Sequence, residues 1–106
     1  MVETRPLFDM MLYVHDLDDY YYIRQSEDRV PDIDNEVALH CICMSKIKSV
    51  HQTVNGKHTV IYVEDEDRIS VYYACEHFDE VHAAVEEYKR LRANWELKKN
   101  EIIGKL

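Results

Sequence analysis

The pattern of apolar and polar positions is most regular in the second half of the chain. Residues 39–52 are rich in β-branched and apolar side chains and predict a long strand that bends near residues 45–46. The pair Asn55-Gly56 follows, and it favours a hairpin turn because both residues tolerate positive φ. In residues 58–63 and 69–75 the side chains alternate with the period of a strand. These patterns predict a three-stranded antiparallel meander.

A helix is predicted directly after the third strand. Its apolar residues are spaced three or four apart and make one continuous stripe, which consists of Phe78, Val81, Val85, Tyr88, Leu91 and Trp95. Asp79 and Glu80 fall in the first turn, where the helix dipole favours negative charge. We therefore predict a C-terminal helix over residues 77–99. Three apolar residues beyond it would either dock on the body or form a self-association edge: Ile102, Ile103 and Leu106.

The first half of the chain is less regular. Residues 7–14 fit either a short helix or a strand, because periodicity does not decide so short an apolar run. Residues 16–19 predict a turn, and residues 20–24 predict another strand. Residues 26–36 are acidic and contain a proline, which predicts an exposed loop. The fold class that follows is α+β in one domain, residues 1–106, with a meander of three to five strands packed against a long C-terminal helix.

A strand, turn, strand, polar turn and third strand leading into a helix occupy residues 47–90. The helix start consists of Glu76-His77-Phe78-Asp79-Glu80-Val81, followed by Val85 and Tyr88-Lys89. This arrangement resembles small ββα domains of the FlbD type, which also occur in short phage-encoded proteins. Asn55-Gly56 stands where such domains often have Pro-Asp. The resemblance implies a ββα architecture and an accessory or regulatory role, and it implies no site residues.

Composition narrows the class of protein. Of the 106 residues 46% are hydrophobic, which is enough to bury a core, and only two are glycine, which leaves no glycine-rich phosphate loop. No apolar run approaches the roughly 18 residues of a membrane span. The start MVETRPLFDMM lacks the basic lead-in of a signal peptide. We therefore expect a cytoplasmic protein, in the host cytoplasm if a phage encodes it.

Charge is the most informative bulk property. The chain has 21 acidic and 13 basic side chains, a net charge of −8, and residues 1–82 carry −10 while residues 83–106 carry +2. Nucleic-acid backbones and anionic membranes repel such a domain, so neither is an expected partner. A basic protein is the partner that it would attract. The alternative is a solvated acidic surface that only maintains solubility.

Histidines and cysteines could in principle form a metal or catalytic site. The candidates are His40, Cys41, Cys43, Cys75, His77 and His82. Neither C-x-x-C nor H-E-x-x-H occurs, and on a strand Cys41 and Cys43 share a face from which His40 points away. No glycine-bearing turn exposes the sulfur of Cys75 as a nucleophile. We expect the three cysteines to be reduced, small buried hydrophobes, with no metal, no cofactor and no enzymatic activity.

Tyrosine and aspartate stand together in the first half. Eight tyrosines against two phenylalanines indicate rings that bury one face and leave the hydroxyl at the surface. On the predicted strand Tyr20 and Tyr22 share one face; the alternative is that these rings only cover the sheet. We expect the surface that binds a basic protein to comprise Asp16, Asp18, Asp19, Tyr20, Tyr21, Tyr22, Asp32, Asp34, Glu36, Glu64, Asp65, Glu66 and Asp67.

Two functions are compatible with these features. The first is a non-enzymatic inhibitor from a phage or mobile element, of the anti-CRISPR or nucleic-acid-mimic type, that covers a basic surface of a host protein. The second is an oligomeric structural or assembly component, including a homodimer. It would associate through the apolar residues of its C-terminal helix, among them Val85, Tyr88, Trp95, Ile102 and Ile103.

Overall fold

The structure, a computed structural model, describes residues 10–104 and the side chains as far as residue 99. Within this range the predicted α+β class is confirmed. A 3₁₀ turn (Met44–Lys46) connects the second strand to the third. The elements follow in the order β1 (Met11–His15), α1 (Leu17–Glu27), α2 (Ile33–Glu36), β2 (Leu39–Cys43), β3 (Ile47–Gln52), β4 (Thr59–Asp65), β5 (Arg68–Ala74) and α3 (Phe78–Gly104).

The predicted meander is confirmed as a three-stranded antiparallel sheet in the order β3-β4-β5. Gly56 in the β3–β4 loop has φ +72°, a conformation that side chains with a Cβ disfavour. Between β4 and β5 a two-residue turn places Glu66 at φ 55°. The predicted bend near residues 45–46 is the 3₁₀ turn. It divides the predicted long strand because β2 pairs with β1, whereas β3 pairs with β4.

A two-stranded ribbon of β1 and β2 stands beside the sheet, with Tyr13 opposite Cys41. Of the two interpretations of residues 7–14, the strand is right from Met11 onward, and residues 7–9 lie outside the described part. The ribbon meets the sheet where β1 ends. There Asp16 forms a bridge with Ala74, and the Cys75 N–H donates to the His15 carbonyl at 2.9 Å.

One hydrophobic core lies between the ribbon, the inner face of the sheet and α3. Alternate strand residues and the helical stripe supply it, as expected from periods of two and about 3.6 residues. Ile61 on β4 and Val14 on β1 are fully buried, and Val81 on α3 is 2% exposed. The other buried members are Leu12, Ile42, Met44, Val63, Ala74, Val85 and Tyr88.

The predicted turn at residues 16–19 and the strand at residues 20–24 are wrong, because residues 17–24 belong to α1. Asp16 is the N-cap of this helix, and its carboxylate accepts from the Asp18 N–H at 2.9 Å. Asp18 and Asp19 then occupy the first turn, where negative charge stabilises a helix. These local signals outweigh the strand propensity of three consecutive tyrosines.

The acidic segment of residues 26–36 is exposed as expected, except for the buried Pro31. It is not a simple loop, because its first two residues end α1 and its last four form α2. Asp32 caps α2 by accepting from the Asp34 N–H at 3.2 Å. An aspartate before a short polar run therefore produced one helical turn here.

Only the first half of α3 packs on the sheet. Val85 and Tyr88 are buried, whereas Trp95 is half-buried and Leu97 is 62% exposed. The 27 residues of α3 make a rod of about 40 Å, while the seven-residue strands reach only about 23 Å. The helix therefore extends beyond the sheet, and the molecule measures 64 × 29 × 26 Å. Within the described range none of the helices is both long and apolar enough to cross a membrane.

Candidate binding surface

The predicted binding residues fall into two groups at opposite ends of the sheet. Residues 16–36 begin where Asp16 bridges Ala74, at one end of β5. The turn at residues 64–67 lies at the other end, where Asp65 pairs with Arg68. Six residue steps along β5, from Arg68 to Ala74, separate the two ends, which corresponds to about 20 Å. We call residues 16–36 the acidic helical surface, and the structure does not unite it with the turn.

Two aspartates of the acidic helical surface hold the fold together. Asp16 caps α1, and its carboxylate also lies 3.2 Å from the His40 Nε2. The Asp19 carboxylate accepts from the Ala38 N–H at 2.8 Å and so ties α1 to the residue before β2. Asp16 and Asp19 therefore have structural partners, which the sequence pattern did not reveal.

Arg29 is enclosed by carboxylates. Its guanidinium donates to Glu27 and to Glu36 at 2.7 Å each, and Glu36 also accepts from the Asp32 N–H at 2.9 Å. The hydrogen bond from Arg29, followed by that from the Asp32 backbone, lowers the pKa of Glu36 below its ordinary value. One of the two basic side chains in residues 16–36 is thus already paired inside the acidic helical surface.

The acidic helical surface keeps a large excess of carboxylates. Residues 16–36 contain eight acidic and two basic side chains, a net charge of −6. Asp18, Asp28 and Asp34 are exposed. Among the described residues, none of these three side chains forms a hydrogen bond or ion pair with a basic group. Their carboxylates are therefore the ones that remain available to a basic partner.

The three tyrosines of α1 point in different directions, because successive helical residues are rotated by about 100°. Tyr22 is 70% exposed, Tyr21 is 38% exposed and Tyr20 is half-buried. The Tyr21 ring packs edge-on against Tyr20 at 5.5 Å and against His58 at 6.2 Å. The expectation that Tyr20 and Tyr22 share one face is wrong, since it assumed a strand. Tyr22 offers the most exposed ring.

The second group is small and partly neutralised. Asp65 accepts from the Lys46 ammonium at 3.0 Å, and this hydrogen bond raises the pKa of Lys46. Glu64, Glu66 and Asp67 are exposed at the turn. With a lysine beside it, this turn is a weaker attractor of basic groups than the acidic helical surface.

A cleft of about 420 Å³ extends the negative region beyond the predicted residues. Its acidic lining consists of Asp34, Glu76 and Glu80, and the remaining lining residues are Tyr13, His15, Ile33 and Cys75. Sequence reasoning missed Glu76 and Glu80 as neighbours of α2. No local pattern could have placed Glu76 in this cleft, because its position depends on a contact between distant segments. Its carboxylate accepts from the His15 N–H at 2.6 Å, and 61 residues separate the two along the chain.

The cysteines and histidines do not converge on a reactive centre in the described part of the chain. Burial, followed by the charges of Glu76, Asp16 and Asp19, raises the pKa of the Cys75 thiol to about 12. A thiol with so high a pKa is a poor nucleophile at neutral pH. In residues 10–104 no group of three or more His, Cys, Asp and Glu side chains is placed to hold a metal.

The expectation that all three cysteines are buried is wrong for Cys41. Its side chain is exposed on the outer face of the ribbon, while Cys43 and Cys75 are half-buried. Tyr13, which lies opposite Cys41 on the same face of the ribbon, is 60% exposed. Whether a cysteine of the ribbon is exposed depends on which face of the ribbon packs on the core. The apolar character of the cysteine side chain does not predict that face.

Comparisons of the chain with protein-family models, with curated protein sequences and with solved structures found no match. A function for this protein is therefore inferred from its own geometry and charge.

Proposed function

We propose that this protein is a non-enzymatic interaction protein whose acidic helical surface binds a basic surface of another protein. The observation that carries the proposal is the unbalanced charge of residues 16–36, eight acidic against two basic side chains. One of the two, Arg29, is already held by Glu27 and Glu36. The uncompensated field of this surface favours arginine and lysine on a partner.

Tyr22 supports the same kind of partner. Its ring is 70% exposed in the acidic helical surface. An exposed aromatic ring beside carboxylates suits an arginine, which can pair with a carboxylate and lie over a ring face. Tyrosine also contributes a large contact area for a small loss of side-chain entropy, which suits a binding surface.

The narrower form of the proposal is an inhibitor, encoded by a phage or mobile element, that acts as a nucleic-acid mimic in the host cytoplasm. Its carboxylates would occupy a basic site that normally holds phosphates. Such a mimic would compete with DNA or RNA for the partner, and adding either would release the complex. A complex that binds nucleic acid and this protein at the same time would contradict the mimic and leave the interaction itself standing.

The interaction is tested with three immobilised baits: the wild-type chain, a D18N/D28N/D34N variant and a matched E64Q/E66Q/D67N variant. The first set of substitutions spares the structural carboxylates of Asp16 and Asp19. We expect proteins retained by the wild type to elute as salt rises, since screening weakens surface electrostatics. We also expect the first variant to lose these proteins and the second to keep them. Retention that is insensitive to salt and to the first variant would contradict the proposal.

A second candidate function, an oligomeric assembly component, is favoured by the distal half of α3. This part leaves the sheet after Tyr88, and residues 89–99 contain five basic side chains against one acidic. Light scattering separates the two candidates. A stable oligomer that is dissolved by I102A/I103A, and not by D18N/D28N/D34N, would favour assembly through α3.

A further inference from the structure

The cleft of about 420 Å³ beside α2 is lined by four parts of the fold: β1, α2, the connection after β5 and the first turn of α3. These parts contribute aromatic, apolar and acidic side chains, namely Tyr13, His15, Ile33, Asp34, Cys75, Glu76 and Glu80. Ligand sites in proteins usually measure roughly 300 to 1,000 Å³, so this cleft is large enough to enclose a long side chain of a partner.

Glu76 is the more buried carboxylate of the cleft, and it is held in place. Its side chain is 18% exposed, accepts from the His15 N–H at 2.6 Å and lies 3.2 Å from the His15 Nδ1. A backbone amide orients the carboxylate without cancelling its charge. Burial, followed by the charge of Glu76, raises the pKa of the neighbouring Cys75 thiol to about 12. The interior of the cleft therefore disfavours negative charge and favours a cation.

The opening of the cleft carries two more carboxylates. Asp34 on α2 and Glu80 on α3 are both exposed. Neither side chain pairs with a basic group within the described range, and neither lysine nor arginine lines the cleft. Concave sites lined by charge of one sign concentrate the field more than an open surface does. The cleft is thus the part of the negative region that attracts a single cationic group most strongly.

The cleft opens beside exposed aromatic and apolar side chains. Tyr13 lines it and is 60% exposed. Tyr13 pairs with Cys41, and His15 pairs with Leu39, so these residues share one face of the ribbon. Leu39 is 55% exposed, and Cys41 is exposed as well. A partner segment that carries a cation and an apolar side chain side by side would complement both parts of this surface.

We propose that the cleft binds an arginine side chain of a partner protein, while an apolar residue next to that arginine contacts Tyr13 and Leu39. A guanidinium is planar and carries several N–H donors, so it bonds to Asp34 and Glu80 and also lies against the Tyr13 ring. Lysine, a compact and more strongly hydrated charge, suits an aromatic and acidic cleft less well. This inference rests on the proposed function for its basic partner and identifies the residue that anchors it.

The probe is a capped peptide, acetyl-Gly-Leu-Arg-Leu-Gly-amide, titrated into the isotopically labelled full chain and followed by NMR. Matched peptides carry lysine, or citrulline, which has the shape of arginine without its charge. We expect the arginine peptide to shift the Cys75, Glu76 and Glu80 amides to saturation and to bind about threefold or more tightly than the lysine peptide. The citrulline peptide should not saturate. Equal binding of the three peptides, or no saturable shift of these amides up to about 10 mM, would overturn the proposal.

Two variants locate the arginine in the cleft. E80Q removes a cleft carboxylate, and Y13L keeps an apolar side chain without the aromatic ring; each should weaken the arginine peptide by about threefold. D79N is the matched control, because Asp79 is exposed in the same turn of α3 and does not line the cleft. It should change the affinity by less than about twofold. If D79N weakened binding as much as E80Q, the peptide would be responding to the general field of the domain, and the cleft assignment would fall.

Failure of this inference can be distinguished from failure of the proposed function. Peptide-induced shifts at Asp18 and Asp28, without shifts in the cleft, would overturn the arginine cleft and support binding by the acidic helical surface. Saturable binding in the cleft supports the arginine cleft. If the lysate proteins were at the same time retained by the wild-type bait regardless of salt, the cleft would stand and the proposed function would be contradicted.

Discussion

The acidic helical surface and the core of the same domain are stabilised in different ways. In residues 16–36, α1 buries only Leu17 and α2 buries no residue; the segment is held by caps and ion pairs. The core, in contrast, excludes water around Ile61 and Val81. Buried apolar area supplies most of the stability of a domain, whereas exposed ion pairs supply little.

The two regions therefore contribute differently to stability and to binding. The meander and α3 provide the global stability, and the acidic helical surface is attached to them through Asp16, Asp19 and Leu17. Regions with few buried apolar contacts open at a lower free energy than the core. A surface of this kind can adjust to a partner while the core stays folded.

Replacing Ile61 with alanine should have the largest effect on the free energy of unfolding. Its side chain is fully buried between the sheet and α3. Removing it leaves a cavity, and we expect a loss of about 2 to 5 kcal/mol in urea unfolding. I69A, on the outer face of β5, is the matched control and should cost much less. Equal losses for the two variants would show that the core is not where we place it.

Asp16→Ala should have an intermediate effect, because it removes the cap of α1 and the contact with His40. We expect a loss of about 0.5 to 2 kcal/mol, accompanied by faster amide exchange in α1 and not in β4. D18A serves as the control, because Asp18 lies two residues later, in the first turn of α1, and its side chain does not cap the helix. If D16A loosened β4 as much as α1, the two regions would form one cooperative unit.

Acidification should loosen the acidic helical surface before the core. Arg29 and the Asp32 N–H lower the pKa of Glu36 relative to the unfolded chain. The stabilisation is therefore present above the ordinary pKa of a glutamate and is lost as the pH falls through the lowered value. We expect α2 amides to lose protection as the pH falls below about 4.3, the ordinary pKa of a glutamate, and towards the lowered value, while β4 stays protected. R29Q should reduce this pH dependence in α2, because only the Asp32 N–H then holds the Glu36 carboxylate; an unchanged profile would contradict it.

Neutralising the available carboxylates should have the smallest effect on stability. The D18N/D28N/D34N variant removes three exposed charges that pair with no basic group in the described range. We expect its thermal unfolding to match the wild type to within about 0.5 kcal/mol. A large destabilisation would mean that these carboxylates support the fold, and they would then be poor candidates for a binding surface.

The fold was predictable where the pattern is long and periodic. The meander and α3 carry repeated apolar positions over many residues, so burial and local preference agree. The tyrosines of α1 mislead, because their strand preference reflects packing on a sheet, and here no sheet neighbour exists for them. The aspartate cap at Asp16 was the local signal that could have corrected the prediction.

The sequence predicted which segments of the candidate site are acidic, and it did not predict which of their carboxylates lie together on the surface. The sequence shows that residues 16–36 and 64–67 are acidic, and the structure places them about 20 Å apart. It also assigns Asp16 and Asp19 to structural roles and adds Glu76 and Glu80 to the negative region. Which carboxylates are available depends on contacts between distant segments.

Four features follow from residues that are neighbours in the sequence: the α+β class, the meander, the start of α3 and the acidic excess before residue 83. Periodicity and charge along the chain are therefore sufficient to predict them. The separate ribbon, the exposed outer face of β5 and the pairing of His15 with Glu76 depend on long-range packing. A strand pattern shows that two faces alternate. The face that meets the core is chosen only when the ribbon, the sheet and α3 bury their apolar sides against one another.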